Sequence, residues 1–277
     1  MNSIKTVLLM GILFGLCMFF GGLFGGRNGV VIAFFVALVF NGVSYWFSDS
    51  IVLSMYRAKE LSPSEAPELH EIVARVAAGA GIPKPRVVLV PMPVPNAFAT
   101  GRDPDNAVVA VTRALVEMLD RTELEGVIAH EISHIKNRDT LIQCLAAAMG
   151  GAIVMLSYTA RFAAFFGLGR DDDNNVLELL ILAVLAPIAA LLIQMAISRS
   201  REFAADEMAA RITHNPYGLS NALRKLESVS QRYSIRGGNS ATSHLFIVNP
   251  FRGGMASLFS THPSTEQRIQ RLENMQF

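Results

Sequence analysis

The chain has 277 residues, 51% of them hydrophobic and 17% charged, with a formal net charge of +1 and a mean hydropathy of +0.37. The length allows one or two compact units, but the apolar excess is too large for an ordinary soluble domain. The near-neutral balance gives no electrostatic case for nucleic acid, and Cys17 and Cys144 form neither a CxxC motif nor a disulfide framework.

Two apolar runs open the chain, at residues 6–26 and 30–47. Each approaches the roughly 20 residues that a membrane-spanning helix needs. The first is too long for a signal peptide, and no A-x-A-like cleavage site follows it. Ser62-Pro63-Ser64-Glu65 reads as a capping box with proline at the first helical position. Leu69, Ile72, Val73 and Val76 then recur at helical spacing, and Gly79-Ala80-Gly81 predicts the end. Residues 86–90 are β-branched and predict a strand. Residues 96–100 and 107–112 flank the turn composition Gly101-Arg102-Asp103-Pro104-Asp105 and predict a hairpin. Thr122-x-x-Glu125 is a second capping box, placed to open a helix through residues 127–136, VIAHEISHIK.

Further apolar runs follow at 141–166, interrupted by Arg161, and at 176–197. They predict a helical hairpin, either spanning the membrane or buried. Residues 235–243 hold Gly237-Gly238 and read as a loop, and Ser264-x-x-Gln267 opens a last helix to about Asn274. Lys5, Arg57, Lys59, Lys136, Arg138, Arg199 and Arg201 flank the runs on the side of the polar segments. The connecting loops carry only Arg27, and Arg170 beside Asp171–Asp173. The polar segments are therefore expected in the cytoplasm, with Arg161 as the one charge against this orientation. The predicted organisation is two N-terminal membrane helices at 1–48, one cytoplasmic domain from 49–139 and 199–277, and an inserted apolar hairpin at 140–198.

On a helix, residues four apart share a face, so His130 and His134 can offer two imidazoles to one metal. Glu131 is rotated by about 100° from His130. That keeps it off the metal and beside a water held there, which is the mechanical content of H-E-x-x-H. Ile128, Ile132 and Ile135 form the opposite, core-facing stripe. A catalytic zinc takes three protein ligands and keeps one position open. His70 reads as solvated, His214 as a helix end and His244 as a loop border, and none has a partner at ligand spacing. Glu202 and Asp206 share a face if the fourth run continues as a helix. From these residues alone a charged helix end is the simpler reading, although Ala204, Ala205, Ala209 and Ala210 point to close helix packing.

HEISHIKNRD (130–139), SREFAADEMAA (200–210) and Ser260-Thr261-His262-Pro263 together resemble the HtpX family of heat-shock membrane proteases. They also resemble the wider group that holds the CaaX-processing zinc endoproteases. The resemblance implies a mainly α integral membrane protein, with about four transmembrane helices and a cytoplasmic α+β zincin-like (gluzincin) domain built on a small β-sheet. It implies one zinc ion held by His130, His134 and Glu202, with Asp206 fixing a ligand imidazole and Glu131 as general base. His262 and Arg268 match a late histidine–arginine pair that contacts the substrate or transition state; read alone, they are a helix-entry residue and a surface charge. Asn96, Ala97 and Phe98 resemble an edge strand to which an extended substrate adds. The function implied is a multi-pass endopeptidase of the bacterial inner membrane, cleaving cytoplasmic segments of damaged membrane proteins and unfolded polypeptides, with self-association left open. The rivals are a processing protease for prenylated C-termini and a non-catalytic membrane adaptor with a structural zinc.

Overall fold

The computed structural model describes residues 2–144, 199–232, 245–247 and 263–276. The expected loop at 235–243, His244, His262 and nearly all of the apolar hairpin after Cys144 lie outside the described residues. Helix α1 covers Asn2–Trp46 and breaks at Gly26, whose φ of 54° and ψ of −140° suit a residue without a Cβ. The chain turns back there. The rings of Phe14 and Phe34 meet edge to face at 5.3 Å, whereas a straight helix would hold them about 30 Å apart. The two N-terminal runs therefore form an antiparallel pair. Among the described residues one stretch, Gly26–Val43, meets the length and hydropathy of a membrane crossing, and only 11% of it is buried. Val31, Ile32, Phe35 and Val39 all point outward from it. The other spans of the expected four gain no such support.

Helix α2 (Ser48–Met55) and the short strand β1 (Lys59–Glu60) lead into the polar part. The predicted helix start at Ser62 is corrected. Ser62 donates to Glu65 from its backbone N–H at 2.8 Å and its hydroxyl at 2.6 Å, but this is an isolated turn. Helix α3 spans Pro67–Ala80. Pro67 has no N–H and drives Ala66 to φ −142° and ψ 63°, so the helix cannot extend backward through it. It ends at Gly81 as expected. His70 is not solvated: it is 9% exposed and its Nε2 lies 2.9 Å from the Leu61 carbonyl.

Strands β2 (Arg86–Val90), β3 (Ala97–Thr100) and β4 (Val108–Thr112) complete a four-stranded sheet in the order β1-β2-β4-β3. β3 and β4 form the predicted antiparallel hairpin, and β2 runs parallel to β4. Both faces are covered. Val87, Val109, Val111, Ala97 and Ala99 meet the α3 side of the core, and Val88, Val90, Phe98, Val108 and Ala110 meet Val52, Leu53 and Tyr56 from α2 and its end. Asp49 also pairs with Arg86 at 3.2 Å.

Helix α4 (Arg113–Met118) precedes α5 (Arg121–Lys136), which carries HEISH. The capping box sits two residues earlier than Thr122. Asp120 accepts from the Glu123 N–H at 2.9 Å, and Glu123 accepts from the Asp120 N–H at 3.0 Å. Aspartate caps as well as threonine does, so the local pattern held two overlapping boxes. Helices α6 (Arg199–Thr213), α7 (Pro216–Arg232) and α8 (Thr265–Glu273, capped by Ser264 as predicted) complete the described structure. α5 packs on α3, α6 and α7. A Cβ at Gly126 would lie 2.5 Å from the Leu219 backbone nitrogen, so the α5 and α7 backbones touch at that point.

Candidate active site

The stripe Ile128, Ile132 and Ile135 is fully buried, and this seats the opposite face of α5 toward α6. On that face His130 and His134 meet Glu202. His130 Nε2 lies 3.2 Å from His134 Nε2 and 3.6 Å from Glu202 Oε2, and His134 Nε2 lies 3.5 Å from Glu202 Oε1. Ligand atoms about 2.0–2.1 Å from a tetrahedral ion lie about 3.3 Å from one another. The three separations are close to that spacing, with the two histidines facing different oxygens of the Glu202 carboxylate, and the donor set of two nitrogens and one oxygen suits zinc. Ala205, Ala209 and Ala210 are the buried small residues that let α6 approach; Ala204 is exposed instead.

Behind the imidazoles stand two aspartates. Asp206 Oδ1 lies 2.9 Å from His130 Nδ1, as the family resemblance implied. Asp206 is in turn gripped by Arg268, whose Nε and Nη2 donate to its two oxygens at 2.8 and 2.7 Å. The surface-charge reading of Arg268 is overturned: it is 2% exposed, and its Nη2 also sits 3.4 Å from both ring nitrogens of His130. The second aspartate, Asp139, was missed at the sequence level. Its Oδ2 lies 3.1 Å from His134 Nδ1. Arg138 takes a left-handed φ of 57°, Arg138 N–H donates to the Ile135 carbonyl and Asp139 N–H to that of His134. This helix-ending motif turns the chain back on itself and sets Asp139 beside its histidine. Five-residue spacing across a helix end follows no periodicity, and an arginine gives no sequence mark of a left-handed turn, so the sequence carried no signal for it.

Glu131 is 6% exposed. Burial raises its pKa, although both histidines and the Ala99 N–H, which donates to its carboxylate, act the other way. For His130, burial and Arg268 both act to lower the pKa, but hydrogen bonds to Asp206 and Glu202 outweigh them and raise it to about 9 in the metal-free protein. Its proton must leave before the ring can ligate a metal. Zinc affinity is therefore expected to rise about tenfold per pH unit as the pH climbs toward that value, checked by zinc titrations at a series of pH values. An affinity flat across this range would contradict it.

Asn96 precedes the edge strand β3 as expected, but its side chain is already engaged. Its Nδ2 donates to the Leu245 carbonyl at 3.1 Å, and its Oδ1 accepts from the Ile247 N–H at 3.2 Å. Arg268 Nη1 donates to the Ile247 carbonyl at 3.3 Å. Residues 245–247 thus line the mouth of the site together with Phe98, His130, Glu131, His134, Gln143 and Glu202, around a cavity of about 20 Å³. A water needs roughly 10–15 Å³ of such space, so the cavity admits one water and no extended peptide while these residues keep their place.

Comparison with known proteins places these features in context. Residues 63–276 match the model of peptidase family M48. The chain is 58% identical over 275 residues to a Protease HtpX homolog of Pyrococcus abyssi, covering 98% of this chain and 95% of that one. It is 55% identical over 278 residues to a Protease HtpX homolog of Salinibacter ruber, covering 99% and 98%. In fold it is similar to the crystal structure of S. mikatae Ste24p, with a TM-score of 0.52 at 17% identity, covering 98% of this chain and 65% of that one. Two histidines and a glutamate at metal-ligand spacing, carried by helices α5 and α6 in a fold with a small mixed sheet, together with these matches, establish that the chain belongs to peptidase family M48, as a metalloendopeptidase of the HtpX type.

Proposed function

We propose that the chain is a membrane-anchored zinc endopeptidase that cleaves cytoplasm-facing segments of damaged membrane proteins and unfolded polypeptides. The convergence of His130, His134 and Glu202, with Glu131 beside them, carries this reading. Residues 49–139 and 199–277 make one cytoplasmic catalytic unit, and 140–198 is a membrane hairpin inserted in it. The packing of α5 against α6, on either side of that insertion, supports this organisation. The exposed apolar face of α1 and the lysines and arginines beside the apolar runs support a multi-pass protein of the cytoplasmic membrane.

When bound, zinc supplies a Lewis acid and an acidified water. The chain's own residues do the rest. Glu131 takes the proton of the attacking water on its carboxylate and delivers it to the leaving amine nitrogen. Its raised pKa suits an acid that must hold that proton between the two steps. Asp206 keeps the proton of His130 on Nδ1 and so leaves Nε2 as the ligand atom. Asn96 and the edge of β3 hold the extended substrate backbone once residues 245–247 have yielded that place. The family resemblance assigns His262 a contact with the substrate or transition state.

The detergent-purified protein, zinc-loaded or chelated, is incubated with casein and with a prenylated peptide. Cleavage of casein that stops on chelation and returns with zinc is the expected result. Zinc-dependent cleavage confined to the prenylated peptide would replace this reading with a processing protease. Tightly bound zinc with no cleavage of either would replace it with an adaptor.

A further inference from the structure

We infer that Asp139 and Arg201 form a positioning arm for His134, one that also ties the two ends of the 140–198 segment to the metal site. The inference rests on the reading of His130, His134 and Glu202 as zinc ligands. Asp139 Oδ2 lies 3.1 Å from His134 Nδ1, and Asp139 Oδ1 lies 3.7 Å from Arg201 Nη1. Their side chains are 1% and 13% exposed. The arrangement parallels the one on the other imidazole, where Asp206 faces His130 Nδ1 and Arg268 holds Asp206, but Arg268 does so by hydrogen bonds at 2.8 and 2.7 Å, whereas Arg201 reaches Asp139 as a longer ion pair. Each ligand histidine thus turns Nε2 to the centre and Nδ1 to a buried aspartate, and each aspartate has its own arginine. A carboxylate on Nδ1 fixes the tautomer and ring orientation and raises the basicity of the ligating nitrogen. With Asp206 alone, only His130 would be so prepared.

The positions in the chain give this pair a second consequence. Asp139 is the last residue before the helical stretch that begins at Thr140, and Thr140 is anchored by its hydroxyl to the Gly101 carbonyl at 2.8 Å. Arg201 lies at the start of α6, next to Glu202. One ion pair therefore joins the chain where it leaves the described catalytic core to where it returns. It does so between the residue that orients one ligand and the neighbour of another. A shift of either end of the insertion would move His134 relative to Glu202, so the neck of the insertion and the metal geometry are coupled through these two side chains.

The test uses the full-length protein in detergent, stripped of metal, with zinc affinity read by competition against a chromogenic chelator and thermal unfolding read on the zinc-free form. Asp139→Ala and Asp139→Ser are expected to weaken zinc binding about 10–100-fold. Asp139→Asn, whose side-chain oxygen still accepts from Nδ1–H, recovers most of it. Arg201→Met, which leaves Asp139 in place and serves if the alanine variant does not fold, weakens zinc in the same direction. Combined with Asp139→Ala it adds little, because the two act as one unit. Serine retains the capability to cap the helix that follows, so an Asp139→Ser protein with parental zinc affinity would reduce Asp139 to a cap and overturn the inference. Parental affinity in both Asp139→Ala and Arg201→Met would overturn it as well. A parent protein that binds no zinc would instead overturn the ligand reading on which it stands.

Discussion

Glu131→Gln is expected to lower peptide hydrolysis by about 10²–10⁴-fold while zinc stays bound. The amide is close to isosteric with the carboxylate but cannot accept the proton of the attacking water. Glu131 stands beside the ligands rather than among them, with its carboxylate receiving the Ala99 N–H in a buried setting. The substitution removes a charge whose burial is unfavourable, so the fold should be at least as stable. Metal content by atomic absorption and turnover on casein, measured on one preparation, separate the two properties. Parental turnover would remove Glu131 from the reaction, and loss of zinc would make it part of the metal's support instead.

Arg268→Leu is expected to destabilise the zinc-free protein by about 3–5 kcal/mol, the range for breaking a buried ion pair from one side. The guanidinium supplies two charge-assisted hydrogen bonds to Asp206 and one to the Ile247 carbonyl. Without it Asp206 keeps its desolvation and loses its compensation. Burial alone would raise the Asp206 pKa, but Arg268, followed by His130, holds it down at about 2, below the ordinary aspartate value of 3.8. The sign follows from that depression. The contribution is present above pH 3.8 and is lost as the pH falls through about 2. In the variant it should disappear at a higher pH, and the additional change Asp206→Asn should restore part of the stability. A melting temperature within a degree or two of the parent at neutral pH would refute this account of Arg268. Its guanidinium is engaged by Asp206 and the Ile247 carbonyl, against the ring of His130.

The parts of the site that were legible before the structure are those governed by short-range rules. Helical spacing put His130 and His134 on one face, strand composition marked residues 86–90, and the glycines at 79–81 marked the end of α3. The errors were of two kinds. Where two start signals overlapped, local pattern alone could not choose: Ser62–Glu65 has the hydrogen bonds of a box without the helix, because Pro67 resets the chain, and Asp120 caps α5 ahead of Thr122. Where the meaning of a residue depends on a distant partner, composition was silent. Arg268 looks like any charge on an amphipathic helix until α6 brings Asp206 against it, and Asp139 looks like a loop residue until Arg138 reverses the chain. Glu202 was a candidate from its spacing to Asp206 and the small alanines beside it, and the family resemblance decided it against the simpler reading of a charged helix end.

The covering of the sheet by α2 bears on where the enzyme can be cut. A water-soluble fragment would most simply begin after the apolar stretch, near Arg57 or Lys59. Such a fragment would strip Val52, Leu53 and Tyr56 from the cluster of Val88, Val90, Phe98, Val108 and Ala110, leaving Cys144, Leu245 and Met92 as its remaining apolar cover. It would also lose the Asp49 partner of Arg86. A fragment that keeps this cluster whole therefore begins no later than Ser48, with α2 retained as part of the hydrophobic core rather than as a tether.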